Sequence, residues 1–256
     1  MTFAKTMVRL HQITQEDEGC DMNYKRIVQG ILDIGESMLK SGAENFRLED
    51  SLYRMCKAYG FVRYDVFVIP SNIQITVETP DGEIITQIRQ IESFDMHFDR
   101  LDYLNNLCRY VCQHTPDENE LRKKYEEVLS RPPQRWFTKY IASVMGGTGF
   151  AVFFGCNFED AVVAVIVSLM IAIVGGWLSE REPNLMAYNL ILSFLSEVII
   201  IGVVRLGLGS HPERIMIGIV MLLISGLSTT NGIREILQKD YISGAINIMN
   251  SILGAA

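Results

Sequence analysis

The residues best able to do chemistry in this sequence stand where polar groups are costly. Leu185 to Val204 is a strongly apolar run, and inside it Asn189, Ser193, Ser196 and Glu197 recur at spacings of four, three and one. Those spacings place all four along one side of a helix. A carboxylate such as Glu197 at the centre of a membrane helix costs roughly 2.5–3.5 kcal/mol or more unless it faces a partner or a water-filled cavity. Two uses fit: a substrate or proton site, or a neutral carboxyl acting as a hydrogen bond between helices.

The last apolar run repeats the pattern, with Ser243, Asn247, Asn250 and Ser251 again at four, three and one. This stripe suits either helix–helix adhesion or the lining of a path. Between the two stripes lies Ser225-Gly226-Leu227-Ser228-Thr229-Thr230-Asn231-Gly232-Ile233-Arg234-Glu235. Its glycines, and side chains that compete for backbone hydrogen bonds, predict an interrupted helix. At membrane depth such breaks expose backbone dipoles able to hold ions and substrates. The candidate substrate or ion path is therefore Asn189, Ser193, Glu197, Asn231, Arg234, Glu235 and Asn247. Arg234 and Glu235 read alternatively as an ordinary loop pair.

Enzyme signatures are missing. There is no glycine-rich phosphate loop ending in Gly-Lys-Ser/Thr, no His-Glu-x-x-His and no Gly-x-Ser-x-Gly, so no catalytic residue and no cofactor is assigned. Gly146-Gly147-Thr148-Gly149 falls within an apolar run, where small residues let helix backbones approach. Cys108 and Cys112 share a helix face, but a metal would need two more ligands, and only His97 and His114 are near. They read as small buried hydrophobes.

Composition locates these residues in a divided chain. Residues 1–136 carry 17 Lys+Arg and 22 Asp+Glu, and residues 137–256 only 6 and 8. The net charge of −7 and the lack of a basic stripe argue against nucleic acid as a partner. Five cysteines without disulfide-like spacing fit a reducing compartment. Met1 to Asn23 is polar and lacks the apolar core of a secretory signal.

The expected organisation is an α+β soluble N-terminal domain, residues 1–135, followed by an all-α transmembrane bundle of about five helices, residues 136–256. In the first part, Tyr24 to Lys40 and Arg47 to Tyr59 carry helical periodicity. The runs Tyr64–Ile69, Ile73–Glu78 and Glu83–Ile91 alternate as strands around Pro70-Ser71-Asn72 and Pro80-Asp81-Gly82. Phe98 to His114 and Pro116 to Ser130 read as helices, and Arg131 to Arg135 as a linker. The apolar runs after it are Tyr140–Phe158, Ala161–Leu178, Leu185–Val204, Ile215–Leu227 and Tyr241–Ala256. A spanning helix needs roughly 17–25 apolar residues, which the second and third runs meet most clearly. Ala161 to Val167 has no polar face at all, which argues against a soluble helical bundle. Arg122, Lys123, Lys124, Arg131, Arg135 and Lys139 precede the first run, so the positive-inside rule places the N-terminal domain in the cytoplasm of a multi-pass inner-membrane protein. Trp136, Phe137 and Tyr140 form an interfacial aromatic cluster. Arg205 and Arg214 run against this orientation, since they flank a loop that it places outside.

Several segments resemble one family. Gly35-Glu36-Ser37-Met38-Leu39-Lys40-Ser41-Gly42-Ala43-Glu44 with Arg47-Leu48-Glu49-Asp50 is similar to the opening motif of the threonine/serine exporters. Val66-Phe67-Val68-Ile69-Pro70-Ser71-Asn72-Ile73 is similar to their strand-Pro-strand. Phe154-Gly155 with Asp160, and Ser225-Gly226 to Ser243-Gly244, continue the likeness. The resemblance implies a cytoplasmic domain with about ten membrane helices, in one chain or split over two. Five helices here imply the N-terminal subunit of the split type, with a small membrane protein supplying the remaining helices. It further implies a small-molecule substrate: threonine or serine for fused members, a dicarboxylate such as succinate for split ones. Ser225 stands where the family usually has Pro, and Glu235 where it usually has Asp. The competing reading is a membrane-anchored ligand-sensing or regulatory subunit.

Overall fold

The computed structural model describes residues 23–91, 97–132, 136–179, 181–182, 184–224 and 226–255. Ser225 and most of the linker lie outside these residues. The described residues begin with α1 (Tyr24–Lys40), whose first turn is capped by the Asn23 side chain accepting from the Arg26 amide at 3.3 Å. Ile27, Ile31, Ile34 and Met38 form its buried stripe. Gly42 at φ +95° turns the chain toward α2 (Asn45–Ala58), and Gly60 at φ +75° ends that helix region as a left-handed residue should.

Three strands follow as an antiparallel meander: β1 (Arg63–Ile69), β2 (Asn72–Glu78) and β3 (Ile84–Gln90), in the order β1-β2-β3. Val66 pairs with Ile75, and Thr76 with Thr86. Ile73, Ile75 and Val77 alternate into the core, as the period of two requires. Helices α3 (Phe98–His114) and α4 (Glu118–Leu129) complete a hydrophobic cluster that draws on α1, α2 and the sheet. The sequence expectation for α3 has these same ends, and the third strand begins one residue later than expected.

The remaining helices are α5 (Trp136–Phe153), α6 (Phe158–Ser179), α7 (Leu185–Arg205), α8 (Pro212–Leu223), α9 (Gly226–Leu237) and α10 (Tyr241–Ala255). A second hydrophobic cluster, including Ala151, Val163, Val167, Ile171, Leu192, Ile200, Ile215 and Ile219, joins α5 to α8. Among the described residues two helices are long and apolar enough to cross a membrane, Phe158–Ser179 and Met186–Arg205. A third span results if α8 and α9 are one broken crossing, bent by 59°. Helix α5, with Lys139 in its first turn, and α10, with 15 residues, do not pass on length and composition.

The expected helix break falls earlier than the polar run. Ile224 adopts extended backbone (ψ 128°), and Ser228 to Asn231 continue α9 without interruption. Gly146 and Gly147 of α5 do make close approaches: a Cβ on Gly147 would lie 2.0 Å from Ser168 Oγ, and one on Gly146 would lie 3.1 Å from Leu222. Gly149 faces open space. Cys56 and Cys108 are buried in the first cluster, with Cys108 Sγ 3.4 Å from Met38 Sδ. Burial pushes both thiols up to about 12.

Candidate translocation site

Helices α9 and α10 form a tight antiparallel hairpin because glycine faces glycine. A Cβ on Gly232 would sit 2.9 Å from the Gly244 carbonyl oxygen, and one on Gly244 would sit 2.8 Å from that of Gly232. Close backbones bring short polar side chains into range. Thr229 Oγ1 and Ser251 Oγ are 2.6 Å apart, and Asn247 Nδ2 donates to Glu235 Oε2 at 2.7 Å. Asn247 and Ser251 of the stripe thus face α9, while Asn250 is exposed. Asn231 is half-buried on α9.

The foot of this hairpin presses on the α+β elements. Arg234 Nη1 donates to Glu44 Oε1, at the start of α2, across 190 residues of sequence. Ser243 is fully buried, its hydroxyl reaching the Val68 carbonyl of β1 at 3.5 Å. Glu235 is 3 % exposed, and the Asn45 backbone amide and the acids Asp240 and Glu44 act on its carboxyl. Its second oxygen, Oε1, is buried with no hydrogen-bond partner among the described residues, and so is Nδ2 of Asn45, also 3 % exposed. Nearby, burial and then the charge of Asp240 push the Glu49 carboxyl up. The junction therefore brings the acids Glu44, Glu235 and Asp240 within range of one another, with Arg234 on one Glu44 oxygen and Arg47 holding the other at 3.3 Å.

The polar residues of α7 separate. Asn189 and Ser196 are buried against the bundle, with Ser196 Oγ donating to the Ser193 carbonyl at 2.8 Å, and Ser193 is half-buried. Glu197 is one step further round the helix and exposed, beside Leu190, Phe194, Val198 and Ile201. No hydrogen bond or ion pair reaches it among the described residues. The structure thus brings Arg234, Glu235 and Asn247 together, leaves Asn189 and Ser193 on a second helix that packs on α10, and turns Glu197 outward.

Two groups were not singled out as site residues from the sequence. Glu44 and Asn45 complete the junction, and Glu44 lies in the motif that carries the family resemblance. Asp160, fully buried in the first turn of α6, accepts from the Ser210 amide at 2.7 Å and the His211 amide at 3.2 Å, and its other oxygen lies 3.1 Å from His211 Nδ1. Gly209, at φ +89°, brings the α7–α8 turn that close. Arg214 Nη1 donates to the Gly155 carbonyl at 2.6 Å and ties the same two turns together. Among the described residues no group of three His, Cys, Asp or Glu side chains is placed to hold a metal.

The apolar helices point to a membrane protein. The chain matches the family model ThrE, described as "Putative threonine/serine exporter", over residues 29–256, and it belongs to that family. No curated protein and no solved structure matches it.

Proposed function

We propose that this chain is a subunit of a secondary-active exporter of small polar metabolites, of the threonine/serine class or a dicarboxylate such as succinate, working with a second small membrane chain. The observation that carries the reading is the pair of polar contacts, Asn247 with Glu235 and Arg234 with Glu44, where the α9–α10 turn meets the α+β elements, in a chain of an exporter family. A buried carboxyl such as Glu235 in the apolar half of the chain supports a substrate or ion path. The absence of a nucleotide-binding motif from the sequence supports an ion or solute gradient as the energy source. Helices with outward apolar faces, and Glu197 among them, support a second membrane chain as the cover.

The N-terminal residues 1–135 act as a cytoplasmic α+β domain and residues 136–256 as the membrane part. The bonds from Asp160 and Arg214 support this orientation, because they join the α5–α6 and α7–α8 turns at one end. The α9–α10 turn meets the α+β elements at the other. Arg214 is engaged by the Gly155 carbonyl, so its charge stands outside for a structural reason and weighs less in the positive-inside count.

The test is reconstitution. Proteoliposomes with this chain and the membrane protein encoded beside it are expected to release threonine, serine or succinate down an imposed gradient, and the chain alone is not. Robust efflux from the chain alone removes the partner. No efflux of any of the three from the assembled pair removes the exporter.

A further inference from the structure

The membrane helices divide into two bodies. Helices α5 to α8 share one apolar cluster, and among the described residues no side chain of α9 or α10 belongs to it. The α9–α10 hairpin is held together by its own contacts: Gly232 against Gly244, Thr229 with Ser251, and Asn247 with Glu235. Helix α10 rests on α7 and α8 without adding a buried residue to their core. The backbone that joins the hairpin to the bundle is extended at Ile224, and α8 and α9 meet there at 59°. The Gly226 amide closes onto the Ile224 carbonyl at 2.9 Å, and the space that a Cβ on Gly226 would take is open. A joint at the end of a helix, with room beside it, can absorb the φ and ψ changes of a hinge.

The other end of the hairpin is clamped. Arg234 meets Glu44, the Asn45 amide meets Glu235, and the Ser243 hydroxyl reaches the Val68 carbonyl at 3.5 Å. These ties engage both helices of the hairpin, and on the other side both α2 and β1. Glu235 and Ser243 are buried, so pulling the clamp apart would leave polar atoms without partners. Bending at Ile224 breaks none of these contacts. We infer that the α+β domain and the α9–α10 hairpin form one rigid body, which swings on Ile224 against the α5–α8 bundle. Relative motion is the ordinary expectation between units that share no large apolar interface. The α+β domain is then a handle on two membrane helices, and whatever tilts it tilts them. This goes beyond the exporter reading and holds whatever solute the protein moves.

The experiment measures distances between spin labels by double electron–electron resonance on the full-length chain in nanodiscs. Cys20, Cys112 and Cys156 are replaced by Ser, while Cys56 and Cys108 are buried and stay. Labels go on exposed positions in pairs: Lys57→Cys on α2, Gln238→Cys at the hairpin turn and Ser179→Cys at the end of α6. The distance from 57 to 238 is expected to be single and narrow. The distances from 179 to 57 and from 179 to 238 are expected to be at least twofold broader and to shift together. Three equally narrow distances would remove the hinge. A 57–238 distance as broad as the other two would show that domain and hairpin are not one body. Either result overturns the inference. A second set with Asp81→Cys in place of Lys57→Cys repeats the measurement from the β2–β3 turn, so that no single label position decides it.

Discussion

Asn247 Nδ2 donates to Glu235 Oε2 at 2.7 Å, linking α10 to α9 close to the turn that joins them. This is the hydrogen bond that joins the two side chains across the hairpin. Asn247→Ala strands a buried carboxylate oxygen, and Glu235→Ala leaves a half-buried amide without its acceptor. Each is expected to destabilise the purified protein by about 1–3 kcal/mol. A double-mutant cycle by thermal unfolding should return a coupling of about 0.5–3 kcal/mol. Additive effects would show that the contact carries no energy.

Glycine contacts give a sharper packing prediction. A Cβ on Gly218 would sit 2.6 Å from the Cα and N of Ala151, which are backbone atoms and cannot rotate away. Gly218→Ala must therefore push α8 from α5, at about 1–3 kcal/mol for overpacking. Gly149→Ala, on the same helix as Ala151 but facing open space, should be neutral or slightly stabilising through helix propensity. Melting temperatures in detergent compare the two, and equal loss would mean that α5 and α8 are not this close.

Glu197 offers a trade between chain and complex. Exposed on an apolar face, it is costly at membrane depth, so Glu197→Leu should stabilise the isolated chain by up to about 2.5–3.5 kcal/mol. If the second membrane chain covers this face and meets the carboxyl, the same variant should lower the yield of complex. Glu197→Cys should also cross-link to that chain. Full assembly of Glu197→Leu with no cross-link from Glu197→Cys would place the partner elsewhere.

The buried thiols set a pH dependence. Cys56 and Cys108 rise from 9.0 to about 12, because burial opposes the thiolate. In the folded state both stay protonated where the unfolded chain already releases its protons. The stability they support is fully present below pH 9 and is lost progressively as pH rises toward about 12. Denaturation midpoints followed across that window should fall. Iodoacetamide at pH 8 should modify these two cysteines only after unfolding, and rapid labelling of the folded chain would show that they are not enclosed.

Local patterns in the sequence sufficed for what is periodic. Ile27, Ile31, Ile34 and Met38 define the buried side of α1. Alternation through Ile73, Ile75 and Val77 defines β2, and the spacing of Asn247 and Ser251 marks the side of α10 that faces α9. Long-range pairings were not legible in this way. Nothing in the spacing of Glu44 or Arg234 shows that they meet, since 190 residues lie between them. Asp160 reads as a loop acid until the α7–α8 turn folds onto it. Glu197 shares a helical side with Ser193 and Ser196, yet a rotation of one residue carries it from the packed side to the exposed one. The break before α9 came from turn-forming composition, but Ile224 shows that the backbone departs from helix at the edge of that run.

The most direct measurement of the central claim is threonine efflux from proteoliposomes holding the assembled pair, comparing wild type with Glu235→Gln at equal amounts of complex. Gln keeps the size of the side chain and its bond with Asn247 while removing the charge. The account expects efflux to fall at least tenfold with assembly unchanged, and Glu235→Asp to retain most of the rate. Wild-type efflux by Glu235→Gln across the pH range would contradict it.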